Sequence, residues 1–236
     1  MDILETIKWL SDLFESYGLS IVFIFAFAFA IWYLIGGWIN LKIARRYAKT
    51  IEESMRTRSM PVRYRRISGG RGFRALCLMR NNEIFERVEI AINLADRDNA
   101  MHYLLSPITR DEDRFLCWAF MNIKPPSSIE IVPRKRVKAF YKSIRKFPEK
   151  YGKFKLYKVD EIFDDEFSIF AEDVGAVSTM FPKRIRDHIM EMRGSIRGIS
   201  VVSGEDFIRL AGKASEKTIP LLLDLAWEIG KSIAKD

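Results

Sequence analysis

The chain has 236 residues, 48% of them hydrophobic, and 39 Lys and Arg against 31 Asp and Glu give a formal net charge of +8. That length suits one sizeable domain plus appendages. Cys77 and Cys117 both fall in apolar runs and read as structural thiols of a reducing compartment, and with no CxxC or Cys/His cluster the sequence does not point to a zinc site.

Residues 1–18, "MDILETIKWLSDLFESYG", set Lys8 against Asp2, Glu5, Asp12 and Glu15. Ile3, Leu4, Ile7, Leu10, Leu13 and Phe14 share one helical face, which suits an external segment lying on the membrane surface. Residues 19–39, "LSIVFIFAFAFAIWYLIGGWI", carry no charge. Twenty-one residues at ~1.5 Å each span about 31 Å, one bilayer core. The acidic leader, the length and the Trp38-Ile39 ending argue against a cleaved signal peptide. Residues 40–66 carry nine Lys and Arg against Glu52 and Glu53, so the C-terminal side is expected in the cytoplasm and the N-terminus outside, in the cell membrane or the endoplasmic reticulum membrane. Trp32, Tyr33 and Trp38 lie near the cytoplasmic end, where amphipathic rings favour the interface.

After the span, Leu41, Ala44, Ala48, Ile51 and Met55 predict a continuing basic helix, and residues 40–66 read as a helical stalk. Met60-Pro61 breaks it, and "SGGRG" (68–72) is a turn into the domain proper, residues 67–203. Strands are predicted at 74–79, 85–94, 114–123, 167–173 and 196–202, with another after "PPSS". Helices are predicted at "DRDNAMHYLLSP", capped by Asp96 or Asp98, and at 134–147 and 183–192. In the basic helix Val137, Phe140, Tyr141 and Ile144 face inward. Residues 204–236 read as helical throughout. The fold class is α+β, a single N-terminal transmembrane helix followed by a cytoplasmic domain of mostly antiparallel sheet with helices, and C-terminal helices.

Catalytic chemistry is sparse. Ser59-Met60, some twenty residues beyond the span, resembles the nucleophile box of membrane signal peptidases. Such a serine needs a Lys or His base and a Gly-Asp box, and neither pattern follows. "SGGRG" lacks the Lys-Ser/Thr ending of a phosphate loop. The acids Asp160, Glu161, Asp164, Asp165 and Glu166 lack EF-hand spacing and read as a solvated loop. His102 and His188 stand isolated. No catalytic residue, metal ligand or cofactor is therefore assigned, and the chain is not read as an enzyme. The cations Arg134, Lys135, Arg136 and Lys138 of the basic helix, with Arg45, Arg46, Lys49, Arg56 and Arg58 of the stalk, form either a solvated face or a contact with anionic lipid or RNA backbone.

With the elements in order, the chain resembles the calumin family, the coiled-coil-domain subunit of the PAT complex at the Sec translocon. Three stretches carry the resemblance. "ADRDNAMHYLLSPI" is followed by "RFLCWAFMNI" and "KRVKAFYKSIRKF"; "FSIFAEDVGAVSTMF" places Glu172, Gly175, Val177 and Ser178 near the family's Ser-Glu-x-Gly-Glu-Val-Thr pattern; "RIRDHIMEMRGSIRGISVVSG" matches a helix and a short strand ending in Ser. Together with the single N-terminal span they cover residues 30–230. The resemblance implies a scaffold on the cytosolic face of the Sec translocon channel, paired with a small multi-span partner, assisting insertion of multi-span membrane proteins in contact with membrane lipid. The family's long acidic luminal segment and its basic coiled coil have no counterpart in this sequence. Calcium binding is therefore not carried over, and contact with the ribosome stays open; the compact form suits an archaeon. The alternatives are a membrane-tethered adaptor binding anionic lipid or ribosomal RNA and, more distantly, an anchored signal-peptidase-like enzyme.

The last helix has its own ambiguity. From Ile219 to Ile233 only Asp224, Glu228 and Lys231 form a polar stripe, an apolar arc wider than one neighbour covers. Either the helix docks along its own domain, or Leu222, Leu225 and Trp227 anchor it to the membrane surface or a groove of the channel.

Overall fold

The computed structural model describes residues 3–67, 71–100 and 111–235. It divides into two units, Met1–Lys42 with Asp96–Asp111, and Ile43–Ala95 with Glu112–Asp236.

The first unit is built on helix α1 (Ile3–Met55), 53 residues without a break. The span continues into the stalk as one helix as far as Met55, and the described part of the segment read as external, from Ile3, belongs to the same helix. Its apolar stretch is long enough to cross a membrane, and none of its most hydropathic window is buried by protein. Phe27 and Leu34 are each 69% exposed. A helix apolar on every side can satisfy all its backbone hydrogen bonds internally, which is what a hydrocarbon environment requires.

Past Lys42 the same helix belongs to the second unit. Tyr47, Ile51 and Met55, spaced i, i+4, i+8, are buried in its core. Leu41, expected on that face, is exposed; Tyr47 takes the inward place because its hydroxyl is satisfied there. It donates to Asp113 Oδ2 at 2.9 Å and lies 3.2 Å from the Ala214 carbonyl.

The second unit is α+β, as the sequence predicts. Nine strands, β1 (Arg63–Arg66), β2 (Gly72–Leu78), β3 (Phe85–Asn93), β4 (Arg114–Met121), β5 (Ile129–Pro133), β6 (Lys155–Tyr157), β7 (Phe167–Ala171), β8 (Ile196–Val202) and β9 (Phe207–Lys213), form one sheet. Their order is β1-β2-β3-β4-β9-β8-β5-β7-β6, and every described pairing is antiparallel. The helices are α2 (Val137–Lys146), α3 (Pro148–Tyr151), α4 (Glu161–Glu166), α5 (Gly175–Met180), α6 (Lys183–Glu191) and α7 (Thr218–Ile233).

Three differences from the sequence expectation have local causes. Residues 63–66 are a strand rather than stalk, because "RYRR" pairs with β2 and Tyr64 packs edge-on to Phe73 at 5.7 Å. Residues 207–213, expected as helix, alternate Ile208, Leu210 and Gly212 inward and become the central strand β9. The acidic loop is helix α4, because Asp160 accepts the Phe163 backbone N–H at 2.9 Å as an N-cap. The "DRDNAMHYLLSP" helix and the "SGGRG" turn fall largely outside the described residues.

Helix α7 lies between the sheet and two helices, not against one neighbour. It packs on β4 and β9 and on α5 and α6. Leu222 and Leu225 are fully buried, and Trp227 stacks on Phe85 with ring centroids 4.9 Å apart. This corrects their assignment as partner anchors: the wide apolar arc is consumed by the protein's own core. The polar stripe is answered too, Asp224 by Arg58 at 2.9 Å and Glu228 by His188 at 3.1 Å. Closeness is extreme at Gly230, where an added Cβ would lie 2.1 Å from the Phe85 ring.

Gly230→Ala is therefore expected to destabilise the domain by about 1–3 kcal/mol through overpacking, and Leu222→Ala by about 2–5 kcal/mol through a cavity. Leu221→Ala, at a position 44% exposed, should change it by less than about 0.5 kcal/mol. Urea unfolding of the three variants, followed by circular dichroism, checks the ranking.

Candidate anion-binding face

Alternation along the strands gives the sheet two unlike faces. Phe73, Ala75 and Cys77 of β2 and Phe115, Cys117 and Ala119 of β4 point into the core. Arg74 and Leu76, Glu89, and Leu116, Trp118 and Phe120 point the other way and are exposed or half-exposed. Register aligns them: Leu76, Glu89, Trp118, Arg209, Ser200 and Glu130 form one row across β2, β3, β4, β9, β8 and β5. Strand β1 adds Arg63 opposite Leu76 and Arg65 opposite Arg74. Helix α2 covers the far end of this face, where Phe140 and Tyr141 stack on Phe170 at 4.7 and 5.5 Å.

Charge on the face is uneven. At the centre of the row cations are matched. Arg209 donates to Ser200 Oγ at 2.8 Å, Ser200 donates to the buried Glu130 at 2.6 Å, and Arg209 lies 3.7 Å from that carboxylate. Arg197 pairs with Glu112, which Lys213 approaches to 4.0 Å. Arg87 sits 3.8 Å above the Phe120 ring and bridges Glu86 and Glu89 at 2.9 and 3.1 Å. Toward the β1 edge this matching stops. Among the described residues Arg63, Arg65 and Arg74 form no ion pair. They surround a pocket of about 300 Å³ with Leu76, Glu89 and Trp118 in its lining. Unpaired guanidiniums attract anions and bind phosphate through paired N–H donors, and a half-exposed indole offers a stacking surface. Just behind, on the core side, burial and the nearby Glu52 carboxylate push the Tyr64 phenol up to about 12, and its hydroxyl donates to the Ala48 carbonyl at 2.9 Å.

This cluster was missed from sequence because "RYRR" counted into the stalk's charge. Its signal was the period-two spacing of Arg63 and Arg65 about Tyr64.

The residues singled out from sequence scatter around it. Arg45 and Arg56 are exposed. Arg46 lies 3.6 Å from Glu216 and Lys49 3.7 Å from Glu53, loose surface pairs. Arg58 is engaged within the domain: it bonds Asp224 at 2.9 Å and sits 5.1 Å over the Trp227 ring. Arg134, Lys135, Arg136 and Lys138 are exposed on the short 3-10 turn and the start of α2. Tyr33 and Trp38 are 61% and 62% exposed on α1, with Lys42 Nζ 5.2 Å over the Trp38 ring, while Trp32 bonds the Arg97 carbonyl.

The enzymatic lures resolve into structure. Ser59 is buried, and its Oγ donates to the Met55 and Met60 carbonyls at 3.2 and 2.8 Å. The adjacent cavity is lined by Glu52, Arg56 and Arg80 and by neither Lys nor His. Asp164 accepts the Val159 backbone N–H at 3.2 Å, so two acids of the cluster cap backbone. Among the described residues no three His, Cys, Asp or Glu gather to hold a metal. His188, isolated in sequence, pairs with Glu228; His102 lies outside the described residues.

No protein-family model matches this chain, and none of the curated proteins does. Among solved structures it is distantly similar to the crystal structure of the mycobacterial trehalose monomycolate transport factor A, TtfA, with TM-score 0.38 and 6% identity over 74% of this chain and 71% of that one. A likeness at that level carries no functional argument.

Cys77 and Cys117 are fully buried, and burial pushes the Cys77 thiol up to about 12 and raises Cys117 as well. Both are expected to resist maleimide until the domain unfolds. The folded chain keeps protons that the unfolded chain releases, so this contribution is full below the ordinary thiol range and is lost as pH rises from about 9 toward 12. The double variant Cys77→Ala, Cys117→Ala should show a shallower stability loss across that window, measured by urea unfolding at stepped pH.

Proposed function

We propose that this chain is a membrane-anchored adaptor whose sheet face engages the phosphates of RNA on the cytoplasmic side. The observation that carries this reading is the trio Arg63, Arg65 and Arg74, unpaired among the described residues, around a pocket beside Trp118. Single-stranded RNA is held by this combination: cations track the backbone while an aromatic face stacks a base with little sequence preference. The pocket's 300 Å³ suits one flat ring better than an extended substrate. Helix α1 supplies the anchor, and the nine cations of residues 40–66 support an outside N-terminus and a cytoplasmic domain. The engaged hydroxyl of Ser59 supports a binding role over a hydrolytic one.

The resemblance in element order to the calumin family supports a more specific setting. There the adaptor is an accessory subunit of the Sec translocon, beside a small multi-span partner, aiding insertion of multi-span proteins with ribosomal RNA as the polyanion.

Two measurements bear on this. Protease added outside intact cells should spare residues 67–236, and digestion of the domain there would reverse the topology. In nanodiscs, the variant Arg63→Ala, Arg65→Ala, Arg74→Ala should bind single-stranded RNA more weakly. Its log-affinity against log-salt slope should be shallower by about 2, the release expected for three phosphates at ~0.7 each. Unchanged affinity and slope would remove this face from consideration, and selective loss of binding to anionic vesicles instead would make lipid the partner.

A further inference from the structure

Helix α1 meets the sheet at one end. Tyr47 bonds Asp113, the residue before β4, and Ala214, the residue after β9. Asn93, the last residue of β3, pairs with Arg114, which pairs in turn with Lys213. Strand β5 finishes at this same end. It runs from Ile129, beside Val201, to Ile131, beside Ile199, and so exits at Pro133 toward Ile196, the partner of Gly212. The residues it delivers there are Arg134, Lys135 and Arg136, followed by Lys138 in the first turn of α2. They leave the sheet three strands from β4, about 14 Å across.

All four cations are exposed, and among the described residues none forms an ion pair. The first turn of α2 holds no acidic residue. Cations at the positive end of a helix dipole oppose helix formation, so their placement costs folding stability rather than adding to it. Arg66 and Arg114, at the same end of β1 and β4, are likewise exposed and without an ion pair among the described residues. Between this group and the Arg63 cluster the cations of the open face are matched, Arg209 by Glu130, Arg197 by Glu112, and Arg87 by Glu86 and Glu89. The two basic groups are therefore separate rather than one continuous track.

Location selects the anion. Eight residues of one continuous helix separate Ile39, where the uncharged stretch ends, from Tyr47, a rise of about 12 Å. Lipid headgroups extend roughly 5–7 Å beyond the hydrocarbon on each side. The remaining gap is shorter than the Debye length of about 8 Å at physiological salt. Unpaired cations at that height are complementary to the surface of an anionic leaflet.

We propose that Arg134, Lys135, Arg136 and Lys138 form a membrane contact additional to helix α1, binding the headgroups of anionic phospholipid. The inference rests on α1 being the anchor, and it goes beyond the RNA reading of the β1 edge, which does not use these residues. The contact is electrostatic, so it weakens with salt and needs no insertion of α2.

The full chain carrying Ala139→Cys, an exposed position on α2, is labelled with bimane, Cys77 and Cys117 being buried. It is reconstituted in liposomes of phosphatidylcholine alone or mixed with phosphatidylserine, both doped with a headgroup-nitroxide lipid. The nitroxide should quench the label at least twice as strongly in the anionic membrane, and high salt should remove that excess. The fourfold variant Arg134→Gln, Lys135→Gln, Arg136→Gln, Lys138→Gln should abolish the excess. Its melting temperature in detergent should not fall, since charge of the wrong sign leaves the start of α2. Lys142→Gln, Arg145→Gln, Lys146→Gln, at the other end of α2, should keep most of the excess. Equal quenching in the two membranes would overturn the proposal, as would equal loss in the two variants. So would an unchanged excess in the fourfold variant together with loss of single-stranded RNA binding, which would make the group an RNA contact. Failure of the parent chain to insert into either membrane would instead overturn the anchor on which the proposal rests.

Discussion

The buried carboxylate of Asp113 holds the second unit together at the point where three elements meet. Its Oδ2 accepts the Tyr47 hydroxyl from α1, and its Oδ1 accepts the Ala95 backbone N–H at the end of β3 at 2.8 Å. Its own carbonyl accepts the Ala214 N–H after β9 at 2.8 Å. A buried charge is tolerated when its lone pairs are used, and here their use ties the last turns of α1 to one end of the central strands β3, β4 and β9. Ile51 and Met55 follow on the same face, so the helix that leaves the apolar stretch is at once an element of the domain's core.

That choice of covering element decides which sheet face is left for function. The carboxy-terminal turns of α1, with α5, α6 and α7, occupy the face carrying Cys77, Ile90, Phe115 and Leu210. Helix α2 shields the β5–β7 end of the opposite face. Among the described residues, what stays open is the β1–β4 portion. There each strand contributes an outward residue to a common row, and the edge strand is the most basic. Antiparallel sheets commonly bury one face and present the other, and the alternation of large apolar with charged or aromatic positions is the physical trace of that division.

Much of the fold was legible from periodicity. The uncharged 21-residue stretch and strands β2, β3, β4, β7 and β8 follow from local pattern because each has enough residues for a period to show. So do the basic helix and the helix at 183–191. The short strand β1 did not, since four residues of "RYRR" carry more charge signal than alternation. Strand β9 did not either: Ile208, Leu210 and Gly212 alternate, but small residues and a following long apolar helix blurred the boundary. The candidate site was the least legible part. Arg63, Arg65, Arg74 and Trp118 lie up to fifty-five residues apart, and only strand register makes them neighbours.

The sequence by itself determined the elements whose physics is local. A stretch without charge long enough for a bilayer, a cluster of cations after it, and alternating strands need no distant partner to declare themselves. Only the tertiary structure decided which apolar surfaces were already taken. Leu222, Leu225 and Trp227 looked available because hydrophobic exposure depends on neighbours far along the chain, here Phe85, Gly212 and the helices around Met180 and Ile189. Arg58 looked free for the same reason, since its partners Asp224 and Trp227 lie more than 160 residues away. Burial and charge pairing are properties of the assembled contacts, and no local pattern encodes them.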